Sequence, residues 1–243
     1  MKFILSFLAL FSGLLMTAQT NTYEISFDNA LHHEAVVEAS FPDLTSDTVE
    51  FRMSRTSPGR YALHEFAKNV YGFEATDSKG NPLTVNRPNP YAWEVSGHDG
   101  TINIKYILFA NRGGGTYSQV DETHAHLNIP ATFMFSPELS ERKIEVTFKV
   151  REDLNWKVAT QLPLVSGTTF SAPNLYYFMD SPTEISNYML RSFEVGGKTI
   201  NLALHHNGTE EEADEYFEKV KNVVLAEKEV YDELPDFDYG SYT

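Results

Sequence analysis

Apolar residues recur at every second position in a series of short runs, and this period constrains the fold more than any other feature of the sequence. Alternation of this kind places the apolar side chains on one face of a β-strand and their polar neighbours on the other. Turn-forming residues separate several of the runs, as at 77–82, 96–100 and 111–115. The runs span residues 23–27, 35–41, 49–53, 71–75, 91–95, 102–108 and 144–150. We therefore predict a mainly β fold, built as an antiparallel β-sandwich or saddle.

The character of the chain changes near residue 198. Residues 198–204 have the pattern of a strand, and Thr209 with Glu212 forms the sequence signature of a helix capping box. Apolar residues then follow at helical spacing until Pro235, and residues 236–243 have the composition of a further strand. A strand, a long amphipathic helix and a short strand do not close a domain on their own. We expect residues 198–243 to be the incomplete start of a second, α/β domain.

The N-terminus has the pattern of an export signal. Lys2 precedes a mostly apolar stretch, residues 3–16, which is shorter than the ~20 residues that span a bilayer. We predict a signal peptide over 1–20, followed by a β-rich domain over 21–197. The alternative is a buried N-terminal helix. An exported chain without a membrane span would be periplasmic or extracellular.

Charge and cysteine content exclude several functions. The chain has 34 acidic and 19 basic residues, a net charge of −15, and no cysteine. Binding to nucleic acid phosphates needs clustered Lys and Arg, so we expect no nucleic acid partner. Without cysteine, disulfides, thiolate metal sites and cysteine nucleophiles are excluded.

The histidines are the most informative candidates for chemistry. The string 64–68 begins like the zinc motif H-E-x-x-H, but Lys68 replaces the second histidine and a protonated amine cannot bind zinc, so we predict a turn into a strand. His124 and His126 are two residues apart and share one face of a strand, which permits convergence on a metal with Asp121 or Glu122 nearby. Without a placed third ligand, the better interpretation is a loop or edge segment whose histidines hydrogen-bond backbone groups. The adjacent pairs at 32–33 and 205–206 point to opposite faces and make poor chelates.

Several short strings, taken in order, resemble one family. They lie at 57–61 (SPGRY), 64–70 (HEFAKNV), 121–132 (DETHAHLNIPAT), 156–160 (WKVAT) and 180–182 (DSP). Together they make the chain, from about residue 23 to its end, similar to the N-terminal domain of the glycyl-aminopeptidase family of thermolysin-like zinc metallopeptidases.

The resemblance implies that the catalytic residues and the β-rich scaffold lie in different domains. Family members carry a β-rich N-terminal domain and a catalytic domain, and they remove small N-terminal residues such as glycine from peptides. Their zinc is held by an H-E-x-x-H helix and a later Glu of the catalytic domain, which residues 198–243 resemble only in its first strand and helix. No catalytic, metal or cofactor residue therefore carries over to this chain. The expected partner is the catalytic domain of the same polypeptide, with peptides as a second candidate.

Three hypotheses follow for function. The first is a non-catalytic domain that supports the substrate cleft and packs on the catalytic domain, inactive alone, with His124, His126 and Asn128 as a polar cluster at the cleft or the domain interface. The second is a free-standing exported module that binds peptide or glycan on an exposed sheet face. The third is an active enzyme with a site around His124 and His126.

Overall fold

The computed structural model describes residues 19–243, so the predicted signal peptide lies almost wholly outside the described residues. The strands of the β-rich part are β1 (Thr20–Ser26), β2 (Glu34–Phe41), β3 (Thr48–Arg52), β4 (Val70–Thr76), β5 (Thr84–Asn89), β6 (Ala92–Ser96), β7 (Ile102–Phe109), β8 (Gln119–Val120), β9 (His124–Leu127), β10 (Lys143–Lys149), β11 (Lys157–Thr160), β12 (Leu164–Ser166), β13 (Thr169–Ala172) and β14 (Thr183–Ser186). Two short helices join them, α1 (Ile129–Thr132) and α2 (Leu175–Met179).

The largest sheet has seven strands in the order β12-β13-β10-β1-β2-β7-β4. Most neighbours are antiparallel, but β1 runs parallel to β10, with Thr20 opposite Lys143 and Ser26 opposite Lys149. A parallel pair needs a long connection, and here more than one hundred residues of chain separate the two strands. The strand nearest the N-terminus of the described chain therefore lies inside the sheet rather than at its edge.

Two smaller sheets cover the inner face of the large one. They have the orders β3-β6-β5 and β11-β14-β9-β8. One continuous core lies between the three sheets, and aromatic rings connect its layers. Phe41 of β2 meets Phe51 of β3 with ring centroids 4.8 Å apart, and Phe27 meets Trp156 at 5.7 Å. Burial of the alternating apolar residues between these layers is what selects the sandwich.

Two buried tyrosines fix the segment that follows α1. The Tyr106 hydroxyl donates a hydrogen bond to the Thr132 carbonyl and accepts one from the Met134 amide, both at 2.9 Å. Tyr23 donates to the Met134 carbonyl at 3.0 Å. Burial raises the pKa of Tyr106 well above its usual value of 10.0, so the hydroxyl keeps its proton. A non-strand segment thereby crosses the core without unpaired polar groups at these positions.

The seven predicted runs are confirmed as strands β1, β2, β3, β4, β6, β7 and β10. Alternation fails partly in β4, where the register shifts between Tyr71 and Glu74 and leaves Tyr71 43% exposed. The string at 64–68 forms the start of a 3-10 helix, Phe66–Asn69, that leads into β4 at Val70. It is therefore a turn into a strand, as its sequence predicts.

The C-terminal residues form a separate sheet in the order β15-β16-β17, where β15 is Met189–Val195, β16 is Lys198–Leu204 and β17 is Ser241–Tyr242. Helix α3 (Glu210–Tyr231) connects β16 to β17, which pair in parallel, so the segment is a β-α-β unit. We call residues 189–243 the C-terminal unit and the preceding part the β-domain. Strand β15 pairs with β16 along its whole length, so a boundary at residues 197 and 198 falls in the turn of this hairpin.

Helix α3 begins as predicted. The Thr209 hydroxyl accepts a hydrogen bond from the Glu212 amide, and the Glu212 carboxylate accepts one from the Thr209 amide at 2.8 Å, which completes the capping box. The helix ends at Tyr231, before Pro235, because Asp232 adopts a left-handed conformation. Within residues 19–243, no helix combines the length and apolar content that a membrane crossing requires.

Replacing Tyr106 with Phe tests the role of the buried hydroxyl. Loss of the hydroxyl leaves the Met134 amide buried without its partner, and we expect the free energy of unfolding to fall by about 1–3 kcal/mol. Urea denaturation followed by the fluorescence of the buried Trp93 and Trp156 measures the change. Tyr61→Phe is the control, because Tyr61 is fully exposed and its change should stay within about 0.5 kcal/mol. Equal effects of the two substitutions would contradict this assignment.

Candidate functional site at the junction of the two units

Pairing of β9 with β14 brings two histidines to one carboxylate. The register sets His126 opposite Glu184 and His124 opposite Ser186, so their side chains share the outer face of the four-stranded sheet. The Nδ1 atoms of His124 and His126 each lie 3.3 Å from a different oxygen of Glu184. Because a carboxylate only accepts hydrogen bonds, both Nδ1 atoms carry protons and donate to it.

A second carboxylate faces the other side of the His124 ring. The Nε2 atom of His124 is 3.6 Å from Oδ2 of Asp121. The Asp121 side chain is itself oriented by the Thr123 hydroxyl, which donates to Oδ1 at 2.6 Å. His124 thus lies between two carboxylates, with only 17% of its side chain exposed.

A third histidine completes the group from the C-terminal unit. His205 follows β16, and its ring stacks on the ring of His124 with centroids 4.4 Å apart and an interplanar angle of 20°. Its Nε2 atom is 3.2 Å from the Thr123 hydroxyl. We refer to Asp121, His124, His126, Glu184 and His205 as the histidine–carboxylate cluster. It joins two strands of the β-domain to the C-terminal unit.

The charges in the cluster shift several pKa values. Burial acts to raise the pKa of Glu184, but hydrogen bonds from His124 and His126 outweigh it and lower the pKa to about 2. Burial acts to lower the pKa of His124, yet Glu184 and then Asp121 reverse this and raise it above 6.5. The pKa of His205 is lowered by burial and by the neighbouring positive charge of His124. The cluster therefore favours a charged His124 beside a neutral His205.

Asn128 lies apart from this cluster and is buried. Its side-chain amide donates to the Ser57 hydroxyl at 3.1 Å and to the Thr116 carbonyl. Its backbone carbonyl accepts from the Thr132 hydroxyl at 2.9 Å. The structure thus unites His124 and His126 but places Asn128 as a brace between two loops and α1.

The described residues do not fit a zinc ion. Within 19–243, no group of three or more His, Asp or Glu side chains has an arrangement that holds a metal. In the histidine–carboxylate cluster, the Glu184 oxygens are each engaged with a separate imidazole N–H. In the motif-like string, His64 stacks on Phe66 at 5.3 Å and Glu65 pairs with Arg55. We derive no metal-dependent step from these residues.

Two apolar clefts open on the side of α2. One, of about 690 Å³, is lined by the loop that carries Tyr61 and Leu63, which are fully and 64% exposed, and by Met179 of α2. The other, of about 670 Å³, lies between α2 and the C-terminal unit and includes Tyr176, which is 82% exposed. Exposed apolar surface of this kind marks contact with another protein segment or a ligand.

Comparison with known proteins assigns the fold. A crystal structure of an aminopeptidase N family protein from Idiomarina loihiensis aligns with a TM-score of 0.83 at 20% identity. The alignment covers 92% of this chain and 38% of that chain, so this chain spans well under half of that relative. An M1 zinc metallopeptidase from Deinococcus radiodurans aligns more weakly, with a TM-score of 0.40 at 9% identity over 76% of this chain and 46% of that chain. No curated protein matches in sequence.

The chain thus shares its fold with the aminopeptidase N family protein from Idiomarina loihiensis. The family model described as the peptidase M61 N-terminal domain matches residues 22–187, most of the chain. The chain therefore belongs to the peptidase M61 N-terminal domain family. The matched residues end just before β15, where the β-domain gives way to the C-terminal unit.

Sequence reasoning missed two members of the histidine–carboxylate cluster. Glu184 lies in the short polar strand β14, which has no apolar alternation to reveal it, and it reaches His126 only through a pairing 58 residues apart. The sequence pattern presents His205 only as the neighbour of His206, and an adjacent pair on a strand makes a poor chelate. The His-x-His spacing was a usable signal, because two imidazoles on one strand face need a shared acceptor when they are half-buried.

Replacing Glu184 with Gln tests the electrostatics of the cluster. A carboxylate whose pKa is lowered in the folded state adds stability above its unfolded pKa of about 4.5, and loses it as the pH falls towards 2. We expect E184Q to reduce the free energy of unfolding by about 2–3 kcal/mol at pH 7 and to flatten its decline between pH 5 and 3.

Glu38→Gln is the matched control. Glu38 pairs with Lys105 at 2.7 Å, but both side chains are about half exposed, so its removal should cost less than about 1 kcal/mol. Urea denaturation at a series of pH values provides both measurements. If E184Q followed the wild-type pH dependence, Glu184 would not be the group that stabilises the charged form of His124.

Proposed function

We propose that this chain is the non-catalytic β-domain of an exported, glycyl-aminopeptidase-like zinc metallopeptidase. In this proposal the β-domain supports one wall of the substrate cleft and packs on the catalytic domain, to which the C-terminal unit contributes the first strand and helix. The zinc ion and its ligands belong to that catalytic domain, and the chain described here is inactive alone. Family membership supports the peptidase context.

The observation that carries the proposal is the uncovered apolar surface of α3. The helix packs on β15 through Phe193 and Phe217, whose rings lie 5.9 Å apart. The other side of α3 presents Tyr216, Val223 and Val230, which are 49%, 57% and 78% exposed. These residues recur at seven-residue intervals and form a stripe that a further layer of protein would cover.

The topology of the C-terminal unit supports the same conclusion. Parallel strands joined through a helix are characteristic of sheets that are covered on both faces in complete α/β domains. Strand β17 has two residues and pairs with β16 on one side. Within the described residues its other edge has no partner strand. The unit therefore has the geometry of an α/β sheet to which further strands would add.

The clefts beside α2 support a role in forming the substrate cleft. The exposed side chains of Tyr61 and Leu63 project from a loop that Asn128 braces through Ser57. A loop held by a buried amide offers a preorganised apolar surface, which suits contact with a peptide or with a neighbouring domain. His124 and His126 are then structural residues of the junction rather than residues that contact substrate.

Export is part of the proposal. The basic residue Lys2 and the apolar stretch at 3–16 are typical of a cleaved signal, and the absence of cysteine suits any redox compartment. The proposed location is the periplasm or the extracellular space. The proposed partners are the catalytic domain and, through it, peptides.

An activity assay tests the proposal directly. We expect the purified 243-residue chain to release no glycine from glycyl peptides above a no-protein control, with or without added Zn²⁺, because its sequence has no H-E-x-x-H motif. Release that a chelator abolishes, and that survives purification to homogeneity, would refute it. The companion test is the coding DNA beyond codon 243, which we expect to encode H-E-x-x-H in one reading frame.

The same experiments test the alternative function, a free-standing binding module. A free-standing binding module predicts no H-E-x-x-H sequence downstream and measurable binding of peptides or glycans by the purified chain. Calorimetric titration with a mixed glycyl peptide set and with common oligosaccharides measures that binding. Binding that Tyr61→Ala or Leu63→Ala removes would favour the module, since both side chains line the larger cleft.

A further inference from the structure

The histidine–carboxylate cluster is also a contact between the β-domain and the C-terminal unit. Ile200 and Ala213 are buried in the C-terminal unit, but neither belongs to the main core of the β-domain. Besides the cluster, the contacts across the junction include the ring pair Tyr177–Tyr239, with centroids 5.6 Å apart. The His124–His205 stack is therefore one of the contacts that join the units.

The charged groups that face the stack come from three places. Glu184 of β14 and Asp121 of the β8–β9 turn supply negative charge, and His126 of β9 donates to Glu184. On the C-terminal unit, His206 is the neighbouring titratable group and slightly disfavours charge on His205. The Thr123 hydroxyl can accept a hydrogen bond from Nε2–H of His205 whether that imidazole is neutral or charged.

We propose that the His124–His205 stack is a proton-operated contact that holds the C-terminal unit on the β-domain while His124 is charged and His205 is neutral. This inference concerns contacts within the chain and does not depend on the proposed function. A cation stacked on a neutral imidazole is attractive, whereas two imidazolium rings with centroids 4.4 Å apart repel each other.

Acid weakens the contact through His205. Docking lowers the pKa of His205, so the docked form binds fewer protons at this residue than the undocked form. The contact is therefore fully present above the undocked pKa of about 6.5 and is lost progressively as the pH falls below it. Each pKa unit by which docking lowers the value makes the protonated form about tenfold less docked.

His124 supplies the positive charge on the β-domain side of the stack. The folded environment raises the pKa of His124, so its pairing with Glu184 and Asp121 is present at pH values below 6.5 and is lost as the pH rises through the raised pKa.

Spin labels on the full chain measure docking. The sequence contains no cysteine, so Lys79→Cys in the β-domain and Lys219→Cys on α3 provide two unique, exposed attachment sites. We expect a narrow distance distribution between the labels at pH 7 and a fraction of longer distances that rises at least threefold at pH 5. Histidine ring NMR on the same chain reports the protonation of His205 and His124 across this range.

Two substitutions separate the stack from general acid effects. His205→Gln keeps a donor for Thr123 but removes the stacked ring and cannot become charged. We expect its distance distribution to be broader than that of the wild type at pH 7 and unchanged between pH 7 and pH 5. His206→Gln is the control and should broaden at pH 5 like the wild type, because His206 contacts Met189 and the Gly208 amide rather than the stack.

The outcomes decide the proposal. A wild-type distribution that is the same at pH 5 and 7 would overturn it, as would H205Q broadening at pH 5 like the wild type. If H205Q does not fold, His124→Gln serves in its place, because it removes the cation–cation repulsion and should reduce the acid broadening, of which the burial of His205 supplies the rest. Broadening of H124Q at pH 5 to the wild-type extent would likewise overturn the proposal.

Discussion

Burial of one face of the seven-stranded sheet is the constraint on which the rest of the structure depends. Two smaller sheets cover that face, and a single apolar core fills the space between the three layers. Because a buried face fixes strand register, β9 and β14 are held in the one pairing that sets His126 opposite Glu184. The cluster at the junction is thus a product of core packing on the opposite face of the same strands, where Ala125 and Ile185 are buried.

The sequence predicts the parts of the fold that depend on local pattern. Runs such as 35–41 and 102–108 alternate strictly because their strands have one face in the core and one towards solvent, and the capping box at Thr209 is a purely local signal. The remaining strands are short or lack alternation; β5, for instance, is exposed at most positions. Their place is determined by neighbours far away in the chain, which a single sequence does not show.

Local sequence pattern likewise predicts only part of the candidate site. The pairing of His124 with His126 follows from their spacing, because residues two apart share a strand face. The identity of their acceptor does not follow, because Glu184 is one of many acidic residues and is selected by the β9–β14 register. Asn128 is close to the histidines in sequence, but the chain turns into α1 at that point and its buried side chain bonds Ser57 and Thr116 instead.

The position of β1 limits how far the chain can be shortened at its N-terminus. This strand begins at Thr20, yet it lies between β10 and β2 and contributes Tyr23 and Ile25 to the core. Processing that stops before residue 20 leaves the sheet whole, whereas trimming by a few residues more would split it into two open-edged halves. The fold thereby sets an inner limit on how far the N-terminus can be trimmed while β1 keeps its place between β10 and β2.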